Sequence, residues 1–134
     1  MPIKSVSKKT KTQVNIQKNQ ITKGDVVRRL VELPEAIFQA EQNVLNASLN
    51  LDQAKANLEA RKTDLLLGKD ENIKIDGKNA ETRAAQLNEA TKEEQAQVEK
   101  AEEELARLRL ELNKLNNEFR ALQAVAGLLG VVAA

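Results

Sequence analysis

The apolar residues of this chain form two long stripes of helical periodicity. The first repeats every seven residues, with alanines at a second set of positions: Ile37, Val44, Leu51, Leu58 and Leu65, with Ala40, Ala47 and Ala54. The second alternates spacings of three and four: Val98, Ala101, Leu105, Leu108, Leu112, Leu115, Phe119, Leu122, Ala126 and Leu129. Because an α-helix turns about 100° per residue, each series lies on one side of its helix. The pattern predicts two long helices that bury their stripes against each other.

Local signals predict where these helices begin and end. Gly24-Asp25 is typical of a helix start, and Gly68 is typical of a left-handed helix end. Asp76-Gly77 indicates a turn, and Asn79 is suited to cap the following helix. The expected elements are a helix over about residues 25–67, a connection over residues 68–79, and a helix over about residues 80–129.

Pro34 lies inside the first predicted helix. Its missing N–H group and its ring disfavour an unbroken helix. Two alternatives follow: a short helix ends near Glu32 and a new one starts at Pro34, or a single helix kinks there. We expect one of these interruptions in preference to a straight helix.

Composition supports long paired helices over a compact globule. Of the 134 residues, 41% are hydrophobic but only 1% are aromatic, whereas cores of this size normally use several aromatic rings. A connection of about a dozen residues makes the two helices antiparallel neighbours. The predicted fold class is therefore all-α: a long antiparallel helical hairpin of coiled-coil type over residues 24–134, preceded by a mobile, disordered basic arm over residues 1–23.

Charge is distributed unevenly along the chain. Residues 1–33 carry eight lysines and arginines against two acidic residues, a net charge of +6, while the rest of the chain carries −5. A basic arm of this kind is able to neutralise nucleic-acid phosphates. The expected phosphate contacts are Lys4, Lys8, Lys9, Lys11, Lys18, Lys23, Arg28 and Arg29. A solubilising or partner-docking arm and a membrane-surface arm are the alternatives.

The charges of the predicted helices suggest how they are aligned. Residues 89–104 are rich in glutamate, and antiparallel packing brings them opposite Lys55, Arg61 and Lys62. We therefore expect ion pairs across the two helices in this region, each contributing under about 1 kcal/mol where exposed.

Reactive side chains are scarce. The chain has no cysteine and no histidine, so the usual nucleophilic and acid–base constellations are missing. We expect no enzyme activity, no cofactor and no metal site, and we interpret the glutamates at 99, 102, 103 and 104 as a solvated face. Neither a secretory signal nor a membrane-spanning apolar run is recognisable, so a cytoplasmic protein is expected, in the host cytoplasm if the chain is phage-encoded.

Several apolar residues lie outside the two stripes. Two helices share only one contact surface, and a two-helix fold buries little area by itself. We therefore expect a homo-oligomer that assembles through the end of the hairpin opposite residues 68–79. The expected interface residues are Phe38, Leu45, Leu49, Leu110 and Leu128.

The stretch Gly77 to Leu87, with the sequence Gly-Lys-Asn-Ala-Glu-Thr-Arg-Ala-Ala-Gln-Leu, resembles the junction that opens the second long helix in small helical proteins of bacteriophages. The layout of a basic start and a long helical hairpin is also similar to phage recombination mediators of the UvsY type. This resemblance implies a ring-like oligomer that helps to load a recombinase on single-stranded DNA.

Two functional hypotheses follow. The first is a phage-type, non-enzymatic accessory factor in DNA recombination or replication, whose partners are single- or double-stranded DNA and a recombination protein. The alternative is an assembly chaperone or scaffold that binds a protein partner through its apolar end. No small-molecule substrate is expected under either hypothesis, and membrane binding is the least favoured.

Overall fold

A computed structural model describes residues 22–130. Three helices account for most of this range: α1 at Lys23–Leu66, α2 at Ala80–Ala90 and α3 at Lys92–Leu129. No β-strand occurs within residues 22–130. The predicted all-α class is thereby confirmed.

The chain divides into two units. Among the described residues, one comprises residues 22–34 and 117–130, and the other comprises residues 35–116. In the second unit α1 and α3 run antiparallel, since residues 47–57 of α1 lie beside residues 97–104 of α3, and residues 43–50 lie beside residues 104–108. These contacts fit a helical hairpin.

The core of residues 35–116 is formed by the two predicted stripes. Ala47 and Leu51 of α1 pack with Leu105 of α3, and four partly buried residues surround them: Val44, Val98, Ala101 and Leu108. Every residue of both stripes is buried or half-buried. Alanine at one position of the α1 stripe gives this contact surface small side chains opposite leucine, which favours a close approach of the two helices. We call this buried side of α1 the inner face.

The first unit has its own buried residues. Val26 and Leu33 of α1 and Ala126 of α3 are fully buried. Phe119 and Leu122 of α3 are half-buried there. The apolar stripe of α3 thus supplies buried residues to both units.

Thr22 and Asp25 define the start of α1. The Thr22 hydroxyl accepts a hydrogen bond from the Asp25 backbone N–H at 3.1 Å, and the Thr22 N–H donates to the Asp25 carboxylate at 3.4 Å. This reciprocal pair is a capping box. The hydrogen bonds with Thr22, assisted by Arg28, hold the pKa of Asp25 below its ordinary value. The helix therefore begins slightly earlier than the predicted Gly24-Asp25, with Thr22 as the cap.

Pro34 does not end a helix. α1 continues from Lys23 to Leu66 with Pro34 inside it, so of the two predicted alternatives the break near Glu32 is wrong, and the kink stays a prediction. The apolar positions before and after the proline keep the same alternation of three and four, through Leu30, Leu33 and Ile37. Because both sides belong to one continuous apolar face, burial of that face opposes the local preference for a break.

The C-terminal end of α1 was predicted correctly to within a residue. Gly68 has a φ of 72°, the left-handed value. Its N–H donates to the Leu65 carbonyl at 3.2 Å, and the Lys69 N–H donates to the Asp64 carbonyl at 3.0 Å, which together form a Schellman motif. An ion pair between Lys69 and Asp64 at 3.5 Å reinforces this end.

The second predicted helix is interrupted at Thr91, and its predicted continuity over residues 80–129 is therefore wrong. Thr91 has φ −113° and ψ 19°, and it separates α2 from α3. It is fully buried, and its hydroxyl donates to the Leu87 carbonyl at 2.7 Å. Back-bonding of this kind bends helices, and Thr91 occupies the place in the stripe where an apolar residue would favour a straight helix.

Candidate interaction surfaces

One side of α1 carries exposed apolar residues within the unit of residues 35–116. Phe38, Leu45 and Leu49 are 52%, 52% and 57% exposed. Their spacings of seven and four place them on one side of the helix, about 150° around its axis from the inner face. We call this surface the α1 outer face. The same helix therefore presents two apolar faces, of which only one is covered by α3.

The exposed leucine of α3 in this unit lies on the opposite side of the helix pair. Leu110 is 70% exposed and lies about 160° around α3 from the buried Leu105 side. We call the surface around it the α3 outer face. Two helices that pack by their inner faces point their outer faces in opposite directions. Leu110 is therefore not brought together with Phe38, Leu45 and Leu49.

The remaining expected interface residue belongs to the first unit. Leu128 is 88% exposed in that unit. Two exposed valines of α1 also lie in the first unit, Val27 and Val31. The expected interface residues are thus all exposed, but they are distributed over several surfaces.

Acidic residues flank the α1 outer face. Glu35, Glu41, Asp52 and Glu59 lie within about 60° of its apolar centre, and all four are exposed. The lysines and the arginine of α1 in this unit lie about 100° or more from that centre. Glu41 and Asp52 have no ion-pair partner among the described residues. The α1 outer face is therefore apolar along its centre and acidic mainly along one border, which carries Glu41, Asp52 and Glu59, with Glu35 on the other.

Basic residues flank Leu110 on the α3 outer face. Arg107 and Lys114 lie three and four residues from Leu110 and point to the same side of α3. Arg107 pairs with Glu104 at 2.6 Å, which raises the pKa of Arg107 and lowers that of Glu104. Lys114 has no ion-pair partner among residues 22–130. Nearer the start of α3, the same side of the helix carries two acidic residues, Glu99 and Glu103.

The expected phosphate contacts divide into two groups. Lys4, Lys8, Lys9, Lys11 and Lys18 lie outside the described residues, as does most of the predicted arm. Lys23 is exposed at the first position of α1. Arg28 is exposed and bonded to Asp25 at 2.5 Å. The structure therefore leaves Lys23 as the one described member of this set without an ion pair.

Arg29 joins the two helices of the first unit. Its guanidinium donates two hydrogen bonds to Glu118, at 2.5 Å and 2.8 Å, and pairs with Glu32 at 3.5 Å. The hydrogen bond with Glu118 is the main reason that the pKa of Arg29 is raised. A two-pronged pair of this kind fixes geometry as well as charge. Sequence periodicity did not identify Glu118, because a single glutamate beside an apolar stripe resembles the other exposed glutamates.

The cross-helix ion pairs expected near the connection do not form. Arg61 pairs with Asp70 at 2.8 Å, and Lys62 pairs with Glu59 at 3.6 Å. Within residues 22–130 no ion pair joins residues 89–104 to Lys55, Arg61 or Lys62, so the predicted contact pairs are absent there. The pKa of Arg61 is raised mainly by its hydrogen bond to Asp70, and the carboxylate of Glu94 in α3 adds to this at longer range. The hydrogen bond from Arg61, with one from the Asn72 N–H, lowers the pKa of Asp70. Arg61 thus holds the connection to the end of α1.

Hydrogen bonds hold the second half of the connection against α2. The Gly77 N–H donates to Gln86 at 2.9 Å, and Gln86 donates to Asp76 at 2.8 Å. A Cβ atom at Gly77 would lie 2.7 Å from the Thr82 side chain, so this close approach requires glycine. Asn79 accepts from the Thr82 N–H at 2.8 Å and caps α2, as predicted. The stretch that carries the resemblance to phage proteins therefore consists of a turn, the cap Asn79 and the first two turns of α2.

A shallow groove runs beside the contact of α1 and α3. It has a volume of about 430 Å³ and is lined by alanines and amides together with Lys100 and Glu104. Among the described residues no group of three or more carboxylates is arranged to hold a metal ion. The glutamates at 99, 102, 103 and 104 are exposed, as their interpretation as a solvated face requires. The groove offers hydrogen bonding but no reactive group.

No family model, curated protein or solved structure matches the chain. Across residues 22–130, none of the helices combines the length and apolar content that crossing a bilayer requires. The outer faces and the charges around them are therefore the features from which function is inferred.

Proposed function

We propose that this chain is a non-enzymatic assembly protein that self-associates and acts as a scaffold through outward-facing helix surfaces. In this proposal its long helices pair as an antiparallel coiled coil and it acts in the cytoplasm. The observation that supports it is the α1 outer face, where Phe38, Leu45 and Leu49 are each more than half exposed on one side of one helix.

Aligned exposed apolar residues are the main physical reason for this proposal. Single exposed leucines are ordinary on soluble proteins, whereas apolar residues grouped on one surface mark interaction sites. The spacings of the α1 outer face match those with which helices recognise other helices. Because the α3 outer face points the other way, one molecule has surfaces to contact two neighbours. A scaffold requires at least two such contacts.

The test is the mass of the full chain in solution as its concentration is raised. We expect the wild type to exceed the 14.8 kDa of one chain. The double variant Leu45→Gln/Leu49→Gln should shift association to much higher concentration, because it removes most of the apolar area of the α1 outer face. Sedimentation velocity over a concentration series measures both. A wild type that remains at monomer mass throughout would contradict the proposal.

A matched control separates the loss of the α1 outer face from the general effect of replacing an exposed leucine by glutamine. Leu67 is 66% exposed in the connection, away from the α1 outer face. Leu67→Gln removes a comparable exposed leucine and should leave association unchanged. Helical circular dichroism of each variant should match the wild type, since all three leucines are exposed.

A second candidate function is supported by the +6 charge of residues 1–33. We propose that the same scaffold acts as a mediator-like accessory factor in DNA recombination or replication, as the phage resemblance implies. Arg28 and Arg29 are engaged with carboxylates, so phosphate contact would depend on Lys4, Lys8, Lys9, Lys11, Lys18 and Lys23. An oligomer would strengthen such a contact by presenting several arms together.

Binding of single- and double-stranded DNA over a salt series tests this second candidate. We expect affinity to fall steeply as salt rises, because each phosphate contact releases a counterion. Neutralising Lys4, Lys8, Lys9 and Lys11 to glutamine should flatten that dependence. Neutralising four lysines elsewhere, Lys55, Lys74, Lys78 and Lys100, should not. Absence of binding at low salt would remove the nucleic-acid function and leave the scaffold.

A further inference from the structure

We propose that the partner of the α1 outer face is the α3 outer face of a second copy of this chain. This inference rests on the proposed self-association and specifies its geometry. Each copy would contact one neighbour through α1 and another through α3. Such a head-to-tail interface continues from copy to copy until it closes into a ring or extends as a filament.

Charge complementarity is the first reason for this pairing. One border of the α1 outer face carries Glu41 and Asp52, whose carboxylates have no ion-pair partner among the described residues. Beside Leu110 on the α3 outer face, Lys114 and Arg107 carry the opposite charge, and Arg107 is already paired with Glu104. Residues 99 and 103 are acidic, so the complementary part of this face is the turn that carries Leu110 and Lys114. Opposite potentials across an interface fix its register and suppress wrong partners.

Spacing is the second reason. Leu45 and Leu49 lie one helical turn apart, which leaves a depression that a single protruding leucine such as Leu110 is able to fill. With Leu110 there, Glu41 and Asp52 lie on either side of it, separated by about 16 Å along α1. Arg107 and Lys114 are separated by about 10 Å along α3. When the two helices run parallel, this docking position places Lys114 beside Asp52 and Arg107 nearest to Glu41, so Asp52 and Lys114 are the pair that we expect to form.

The alternative of two α1 outer faces in contact brings like charges together. In a parallel arrangement Glu41 meets Glu41 and Asp52 meets Asp52. In an antiparallel arrangement centred between Leu45 and Leu49, Glu41 meets Asp52 of the other copy. Like charges directly across a helix pair are unfavourable. The acidic border of the α1 outer face therefore favours the part of the α3 outer face around Leu110 and Lys114 over a second α1, and Glu99 and Glu103 confine the contact to those turns.

Mixing two single-face variants distinguishes these geometries. One variant, Leu45→Gln/Leu49→Gln, damages only the α1 outer face, and the other, Leu110→Gln, damages only the α3 outer face. In the head-to-tail geometry each variant alone stays at monomer mass, because every contact needs both faces. A one-to-one mixture then forms a dimer of about twice 14.8 kDa, since each variant supplies the face that the other lacks.

Two results would overturn this inference, and they differ in what they say about the scaffold. If Leu110→Gln alone still associates as strongly as the wild type, copies pair α1 to α1, and only the head-to-tail geometry fails. If the wild type itself remains a monomer over the whole concentration series, the face is not covered by a second copy, and the proposed self-association fails as well. Sedimentation equilibrium on the variants and their mixture measures all of these outcomes.

A charge exchange tests the pairing independently of the leucines. Asp52→Lys should weaken association several-fold, and Lys114→Asp in the same chain should restore it, because every interface then contains the exchanged pair. Glu71→Lys, an exposed charge reversal in the connection, is the matched control and should leave association unchanged. Failure of Lys114→Asp to rescue Asp52→Lys would exclude the docking position described above.

Discussion

The inner and outer faces of α1 have similar apolar spacing but opposite environments in the unit of residues 35–116. On the inner face Ala47 and Leu51 are buried against Leu105 of α3. On the outer face Leu45 and Leu49, which lie two residues before Ala47 and Leu51 respectively, are more than half exposed. The two faces differ in the residues that accompany their large apolar side chains. On the inner face these residues are alanines, whereas on the outer face the exposed leucines are bordered by carboxylates.

This difference indicates two kinds of contact. Small side chains on the inner face allow a close and permanent approach of α3, which holds the fold together. Carboxylates beside the outer face would select a partner of opposite charge. The inner face should therefore control stability, and the outer face should control association.

Truncating one leucine on each face gives the largest expected contrast. Leu51→Ala should lower the free energy of unfolding by about 2–4 kcal/mol, because it leaves a cavity beside Leu105. Leu49→Ala should change it by less than about 0.5 kcal/mol, since Leu49 is exposed. Urea unfolding at concentrations where the chain is monomeric measures both. Equal losses at the two positions would remove the distinction between the faces.

Enlarging an alanine on each face should give a smaller contrast. Ala47→Leu adds volume to a buried position and should cost about 1–3 kcal/mol of unfolding free energy. Ala56→Leu adds the same volume at an exposed position of α1 one turn beyond Asp52. It should leave stability near that of the wild type and strengthen association. Thermal unfolding and sedimentation measure the two effects, and a neutral Ala47→Leu would show that the inner face is not closely packed.

Removing the Asp70 carboxylate should give the smallest change in the free energy of unfolding, and this change should depend on pH. Asp70 has a pKa below its ordinary value of 3.8 because Arg61 donates a hydrogen bond to it. Its contribution to stability is therefore full above that value and is lost as pH falls through the lowered pKa of the folded state. Asp70→Asn should destabilise the chain at neutral pH and lose its effect in acid.

Asp52→Asn is the outer-face counterpart of Asp70→Asn. Asp52 has no ion-pair partner in the described residues, so the change should leave stability near wild type at neutral pH. Urea unfolding at a series of pH values measures both variants. A loss in Asp70→Asn that persists unchanged into acid would exclude the Asp70 carboxylate as its source.

Pro34 and Thr91 show why local signals misled about where the helices are interrupted. Pro34, the strongest helix-breaking signal, lies inside a continuous helix, whereas Thr91, a residue that helices tolerate, ends one. The apolar alternation passes Pro34 without a shift, but Thr91 puts a hydroxyl into the buried stripe. Thr91 lies four residues after Leu87 and seven residues before Val98, so it belongs to the same side of the helix as the apolar stripe. Nothing local would have shown that the Leu87 carbonyl accepts its hydrogen bond.

Apolar periodicity and local capping signals were sufficient to predict the all-α class, the two stripes, the end of α1 near Gly68 and the cap at Asn79. These features depend on spacing within one helix or on a few adjacent residues, which the sequence specifies directly. The tertiary structure decided the partners of the charged residues and the directions of the exposed leucines. Arg29 forms an ion pair with Glu118 and Arg61 forms one with Asp70, while Leu110 faces away from Leu45 and Leu49. Those outcomes depend on how two helices are aligned and turned toward each other, and many pairings of exposed charges differ too little in energy for the sequence to choose among them.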